Sequence, residues 1–175
     1  MRKIHFPKTR FAELAARAGG ITQESAVNGA LKNIESARAD SDSMIAKAIE
    51  ATETIVYAPH PNSRLSEEEL RAILRHGDQI VTLAGMFCYE RLDIAARSLC
   101  DLTDGMLIAG LFEAAPIVVH VKAVRLMAPG SVELSPDEAN RVFAGLEKVL
   151  SHFQFGSLSS VVDCQDITDT HLGSS

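Results

Sequence analysis

The sequence predicts an all-α fold, a helical bundle of about six helices built on a long antiparallel helical hairpin. Apolar and small residues recur at alternating steps of three and four positions through long stretches, which is the spacing of one helix face. Aliphatic residues and alanine dominate, and aromatic residues make up only 5% of the chain. Valine and isoleucine do not alternate with polar residues over any long window, as a half-buried sheet would require.

Length and charge favour one soluble domain. The chain has 175 residues, 46% hydrophobic content and a formal net charge of −6. We expect a single domain over residues 1–155 and an irregular or mobile tail over residues 156–175. Basic residues are scattered, which argues against nucleic-acid binding. The longest apolar runs are too short to span a bilayer, so we expect no membrane partner and a cytoplasmic location.

The longest predicted helix covers residues 22–56, and a short helix over residues 8–18 precedes it. One seam of apolar and small residues runs along the long helix without a break, at Val27, Ala30, Ile34, Ala37, Ser41, Met44, Ala48, Ala51 and Ile55. At 1.5 Å per residue this helix would be about 50 Å long. Part of its seam therefore needs cover from the N-terminal helix, from later helices or from a second copy in a homodimer.

The second arm of the predicted hairpin is a helix over residues 67–89. Prolines 59 and 61 break the chain before it, and Ser66 with Glu69 forms a capping box at its start. Gly77 and Gly85 lie within this arm. Because each costs about 1 kcal/mol against alanine in a helix, they predict a close approach of the long first helix.

Three further helices complete the predicted bundle. Their expected ranges are 92–110, 116–128 and 136–153. Pro116 and Pro136 suit the first helical position, where the missing N–H is no loss. Pro129 and Gly130 end the helix over 116–128.

His120 is the first candidate for chemistry. It lies in the middle of the apolar helix over 116–128, and we expect it at the edge of the core face with Lys122 and Arg125 beside it. A free imidazole nitrogen can accept a phosphoryl group, and neighbouring cations can neutralise the phosphate charge. The alternative is a half-buried structural histidine with a polar partner.

His76 is the second candidate. Arginines at positions 71 and 75 supply positive charge, and Gly77 leaves an open neighbour. The alternative is an ordinary surface histidine. No histidine has another histidine or a cysteine at metal-ligand spacing, and no nucleotide-binding glycine motif is present, so we expect neither a metal nor a cofactor.

The segment VVHVKAVRLMAP, which follows SLCDLTDGM, resembles the histidine-phosphotransfer and chemotaxis-associated helical proteins of bacterial two-component systems. The resemblance covers residues 67–153. It implies a four-helix bundle without cofactor that accepts a phosphoryl group on a histidine from a response-regulator receiver domain. His120 is the residue that carries over, whereas Ala123 and Val124 stand where the family has lysine and glycine.

These observations leave three functional hypotheses. The first is a non-enzymatic signalling or regulatory bundle in a phosphorelay, with His120 as the phosphoacceptor. The second is a protein–protein interaction or scaffold module without chemistry. The third is an enzyme that uses an acidic or histidine-lined pocket among the later helices.

Overall fold

The structure, a computed structural model, describes residues 22–155. Five α-helices and one short 3-10 turn (Pro61–Ser63) account for the regular elements of this range, which contains no strand; the helices are α1 (Gln23–Val56), α2 (Glu67–Met86), α3 (Glu90–Ala109), α4 (Ala114–Met127) and α5 (Pro136–Phe153). The predicted all-α fold is confirmed, with five helices here instead of about six. The predicted helix over 8–18 and the predicted tail over 156–175 lie outside the described residues.

Two capping boxes fix the helix starts that the sequence indicated. The Ser66 hydroxyl accepts a hydrogen bond from the backbone N–H of Glu69, and the Glu69 carboxylate accepts one from the Ser66 N–H. Ser135 and Glu138 repeat the arrangement at α5. Each box satisfies N–H groups that the first helical turn leaves unpaired.

The end of α2 differs from the prediction by three residues. The helix stops at Met86, and Cys88 takes a positive φ of 56° before α3 begins at Glu90. The N–H of Tyr89 donates to the carbonyl of Ala84 and so satisfies one of the last carbonyls of α2. The connection is a tight reversal, which places α2 and α3 side by side and antiparallel.

The chain divides into two units, residues 1–39 and residues 40–175, and α1 contributes residues to both. In the first unit, the large apolar side chains at positions 27, 31 and 34 are 49–58% exposed. In the second unit α1 contributes a buried face, Ser41, Ile45, Ala48, Ile49, Thr52 and Val56. The predicted seam is exposed at Val27 and Ile34, so the cover expected for this part of it, from the N-terminal helix or a second copy, stays a prediction. From residue 41 onward, the buried face of α1 is rotated relative to the predicted seam, since Met44 is 44% exposed and Ile45 is buried.

Helix α3 is central to the second unit. It packs most extensively on α2 and also contacts α4 and α5. A Cβ added at Gly77 of α2 would lie 2.6 Å from the Sγ atom of Cys100 on α3, whereas one added at Gly85 would meet nothing within 4 Å. The prediction that these glycines face the first helix is thus wrong. Gly77 allows α3 to approach instead, because the short turn makes α3 the nearest neighbour of α2.

One aliphatic core holds the second unit together. Its largest fully buried side chains come from all five helices and are Ile45, Ile49, Leu70, Ile73, Ile80, Leu92, Leu99, Leu102, Met106, Ile117, Leu146 and Leu150. Burial of each contributes about 1.5–3 kcal/mol relative to exposure.

Within residues 22–155, no helix is both long and apolar enough to cross a membrane.

Polar contacts fasten the second half of α1 to the bundle. The hydroxyl of Tyr89 donates a hydrogen bond to the Asp42 carboxylate at 2.8 Å. The guanidinium of Arg125 on α4 makes two contacts with the carboxylate of Glu53, one of them from Nε at 3.0 Å. These contacts fix α1 beside α4 and beside the turn between α2 and α3.

The two glycines of α2 give a matched test of the α2–α3 packing. We expect Gly77→Ala to lower the free energy of unfolding by about 1–3 kcal/mol, because the added methyl group forces the half-buried Cys100 thiol to move. Gly85→Ala should leave it unchanged or raise it by up to about 1 kcal/mol, because alanine is the better helix former and the space is open. Urea unfolding followed by circular dichroism measures both. Equal effects would contradict this packing.

The apolar positions of the first unit keep the homodimer as a prediction. If Val27, Leu31 and Ile34 pair with a second copy, Leu31→Ser should raise the dimer dissociation constant at least about tenfold in sedimentation velocity, since a buried leucine is worth about 2 kcal/mol. Ile108→Ser is the control, because Ile108 is 81% exposed on α3. A wild-type chain that is monomeric at micromolar concentration would refute the dimer.

Candidate functional site

His120 lies in the core and not at its edge. Its side chain is 0% exposed. The Nδ1 atom is 3.0 Å from the carbonyl oxygen of Pro116, one helical turn earlier, so Nδ1 carries the proton and donates. The Nε2 atom is buried without a hydrogen-bond partner among the described residues. The predicted edge position is wrong because α4 turns the face of Ile117, His120 and Val124 inward as a whole.

Burial also sets the charge of this imidazole. Loss of solvation lowers the pKa of His120, and the hydrogen bond to Pro116 opposes that shift only in part. The ring is therefore neutral at pH 7. A receiver domain could not bring an aspartyl phosphate to Nε2 without opening the bundle, so the structure gives the phosphoacceptor assignment of His120 no support.

The two predicted phosphate-neutralising residues are not placed beside His120. Lys122 is exposed, and two helical positions correspond to about 200° of rotation, which puts it on the opposite side of α4. Arg125 is engaged by Glu53, whose carboxylate raises the pKa of the guanidinium. The structure therefore separates the three residues that the sequence grouped.

His76 is half-buried on α2. The open neighbour predicted for it is wrong, since Gly77 is buried against Cys100. Arg71 is paired with Glu67 one turn earlier. His76 is thus the more accessible of the two predicted histidines, but its surroundings differ from those the sequence suggested.

The other reactive groups of the described region are two cysteines. Burial raises the pKa of the Cys100 thiol to about 12, so it stays protonated. Cys88 is exposed in the turn between α2 and α3. Across residues 22–155, no group of three or more histidine, cysteine, aspartate or glutamate side chains could hold a metal ion.

A groove between α4 and α5 is the feature that sequence reasoning missed. It has a volume of about 360 Å³ and is lined by Val119, Lys122, Ala123 and Leu126 of α4 and by Arg141, Val142, Gly145 and Leu146 of α5. Positions 119, 122, 123 and 126 follow the spacing of one helix face. The signal was present in the sequence, because α4 is apolar almost all round and such a helix has a second face to cover.

The groove combines an apolar floor with positive charge on both sides. Ala123 and Leu146 are buried at its base, and Val119 is 46% exposed. Lys122 stands on the α4 side and Arg141 on the α5 side, and both are exposed. The described residues that line the groove include no carboxylate. The arrangement suits a ligand that is apolar on one face and acidic at its edges.

Gly145 leaves the α5 side of the groove without a side chain at this position. A Cβ added there would meet nothing within 4 Å, so packing within the described chain does not require a glycine at this position. In the middle of a helix the glycine costs about 1 kcal/mol against alanine. Its absent side chain would let the backbone of a ligand approach α5 closely.

The buried His120 predicts a pH dependence of stability. The unfolded chain takes up a proton on this ring near pH 6.5, whereas the folded chain takes it up only at lower pH. Acidification from pH 7 to pH 5 should therefore lower the free energy of unfolding. In His120→Leu the free energy of unfolding should change less steeply with pH. The difference in slope is at most about 1.4 kcal/mol per pH unit, the limit for one proton. Urea unfolding at each pH measures it, and an unchanged slope would contradict the burial of the ring.

No family model matches this chain, and neither a curated protein nor a solved structure matches it significantly.

Proposed function

We propose that this chain is a non-enzymatic regulatory module that binds an acidic, amphipathic segment of a partner protein in the α4–α5 groove. The observation that carries the proposal is the apolar floor of the groove with Lys122 and Arg141 on its two sides. Helix-in-groove recognition uses such surfaces, because apolar anchors supply affinity and edge charges select the partner.

The size of the groove supports a peptide segment as the ligand. Four positions of α4 spaced over two helical turns line it, and they face four positions of α5. A bound helix could place side chains at i, i+3 and i+4 against Val119, Leu126 and Val142. Its acidic residues would then lie within reach of the two cations, which are exposed enough to interact without a large desolvation cost.

The state of the reactive groups favours binding over chemistry. His120 is withdrawn into the core with a neutral ring, and the half-buried Cys100 is a protonated thiol. Phosphotransfer stays a prediction from the sequence resemblance. His76, which is half-buried, is the residue through which it would run, since the His120 ring is inaccessible.

A designed peptide tests the proposal. The probe is a synthetic 18-residue amphipathic helix with leucines on one face and glutamates on both edges, and the control peptide has lysines in place of the glutamates. In a titration followed by NMR, the amide signals of Val119, Ala123 and Gly145 should shift with the glutamate peptide, because these residues line the groove.

Charge reversal identifies the cations. The double variant Lys122→Glu/Arg141→Glu should bind the glutamate peptide at least about tenfold more weakly, which is about 1.4 kcal/mol. Lys148→Glu is the matched control, since Lys148 is exposed on α5 but does not line the groove. Equal affinity for the two peptides, or shifts confined to another surface, would refute the proposed function.

A further inference from the structure

We infer that the tail of this chain, residues 156–175, occupies the α4–α5 groove until a partner displaces it. The inference rests on the proposed function of the groove as a site for acidic amphipathic segments, and it adds regulation by a segment of the same chain. Three features support it, namely the charge of the tail, its reach from the end of α5, and the advantage of a tethered ligand.

The tail has the composition that the groove would select. It carries three aspartates, Asp163, Asp166 and Asp169, and it contains no lysine or arginine. Apolar residues are interspersed with them, at Leu158, Val161, Val162, Ile167 and Leu172. These two properties complement the apolar floor and the positive sides of the groove.

The last described residues fix where the tail begins. The ring of Phe155 lies over Gly105 of α3 and stacks on Phe153, with 5.6 Å between ring centroids. The N–H of Phe155 donates to the carbonyl of Leu150 at 3.0 Å and closes the helix. The chain therefore leaves the bundle at a defined point beside the end of α5.

The groove is within reach of that point. From Phe153 back to Arg141 the helix measures about 18 Å at 1.5 Å per residue. An extended chain covers that distance in about six residues, at about 3.3 Å each. The segment around Val161 to Asp166 can therefore reach the groove even after crossing the end of α5. A tethered ligand acts at an effective concentration of about millimolar, so weak contacts suffice for occupancy.

Disulfide trapping in the full-length chain tests the inference, because Cys164 lies in the tail. In a Cys88→Ser background, Val119→Cys places a thiol at the groove, and the control Ile108→Cys places one on an exposed site of α3. Position 108 is less than one helical turn from Gly105, against which the last described ring packs. An undocked tail would therefore react at least as fast at 108 as at 119.

We expect the 119–164 disulfide to form at least about tenfold faster than the 108–164 disulfide under mild oxidation, as measured by mass spectrometry. Replacing the three aspartates of the tail by lysine should remove this preference. Adding Lys122→Glu and Arg141→Glu to that variant should restore it. Equal rates at the two positions, or a preference that ignores charge reversal, would overturn the inference. Cross-links between two molecules in place of the intramolecular one would identify a second copy as the occupant and would also overturn it.

The experiment separates this inference from the proposed function. If the glutamate peptide binds the groove but Cys164 shows no preference for position 119, the tail is not the occupant and the binding function stands. If the tail is trapped but the peptide neither binds nor slows the trapping, the groove serves the tail alone and the proposed function fails. If both hold, the peptide should slow the 119–164 reaction in proportion to its occupancy.

Discussion

The packing of α2 against α3 is the contact on which the second unit depends. The three-residue turn after Met86 forces these helices to lie antiparallel, and Gly77 lets the backbone of α2 approach Cys100. Helix α3 consequently buries one broad face. Even its polar residues Ser98 and Thr103 are fully buried, and Thr103 satisfies its hydroxyl by donating to the carbonyl of Leu99. Helices α4 and α5 and the second half of α1 complete the structure around it.

The buried face of α3 determines which face of α4 packs inward. One face of α4 must cover α3, and that face includes His120, whose ring is neutral because water is excluded. The opposite face carries Lys122 and contributes to the groove with α5. A rotation of two helical positions thus separates a core residue from a surface residue. A helix that is apolar almost all round can serve the core and a binding surface at once.

Two residues of the groove lower the stability of the fold. Gly145 has open space where alanine would favour the helix, and Val119 is a valine with nearly half its surface exposed. Such features lower the stability of an isolated chain but are useful at a contact surface, where close approach and apolar area contribute to affinity. The same reasoning links the groove with the acidic, apolar tail, since the two have complementary charge and the tail needs no separate encounter.

The sequence by itself determined the elements whose causes are local. Ser66 and Ser135 begin helices because each bonds to a glutamate three residues away, and a helical pattern without strand alternation was enough to predict an all-α fold. Only the tertiary structure decided which faces meet. It placed Ile45 and not Met44 in the core, set Gly77 against α3, buried His120 and paired Arg125 with Glu53. These outcomes depend on partners distant in the chain. A difference of one residue turns a side chain by about 100°, which helical spacing alone does not resolve.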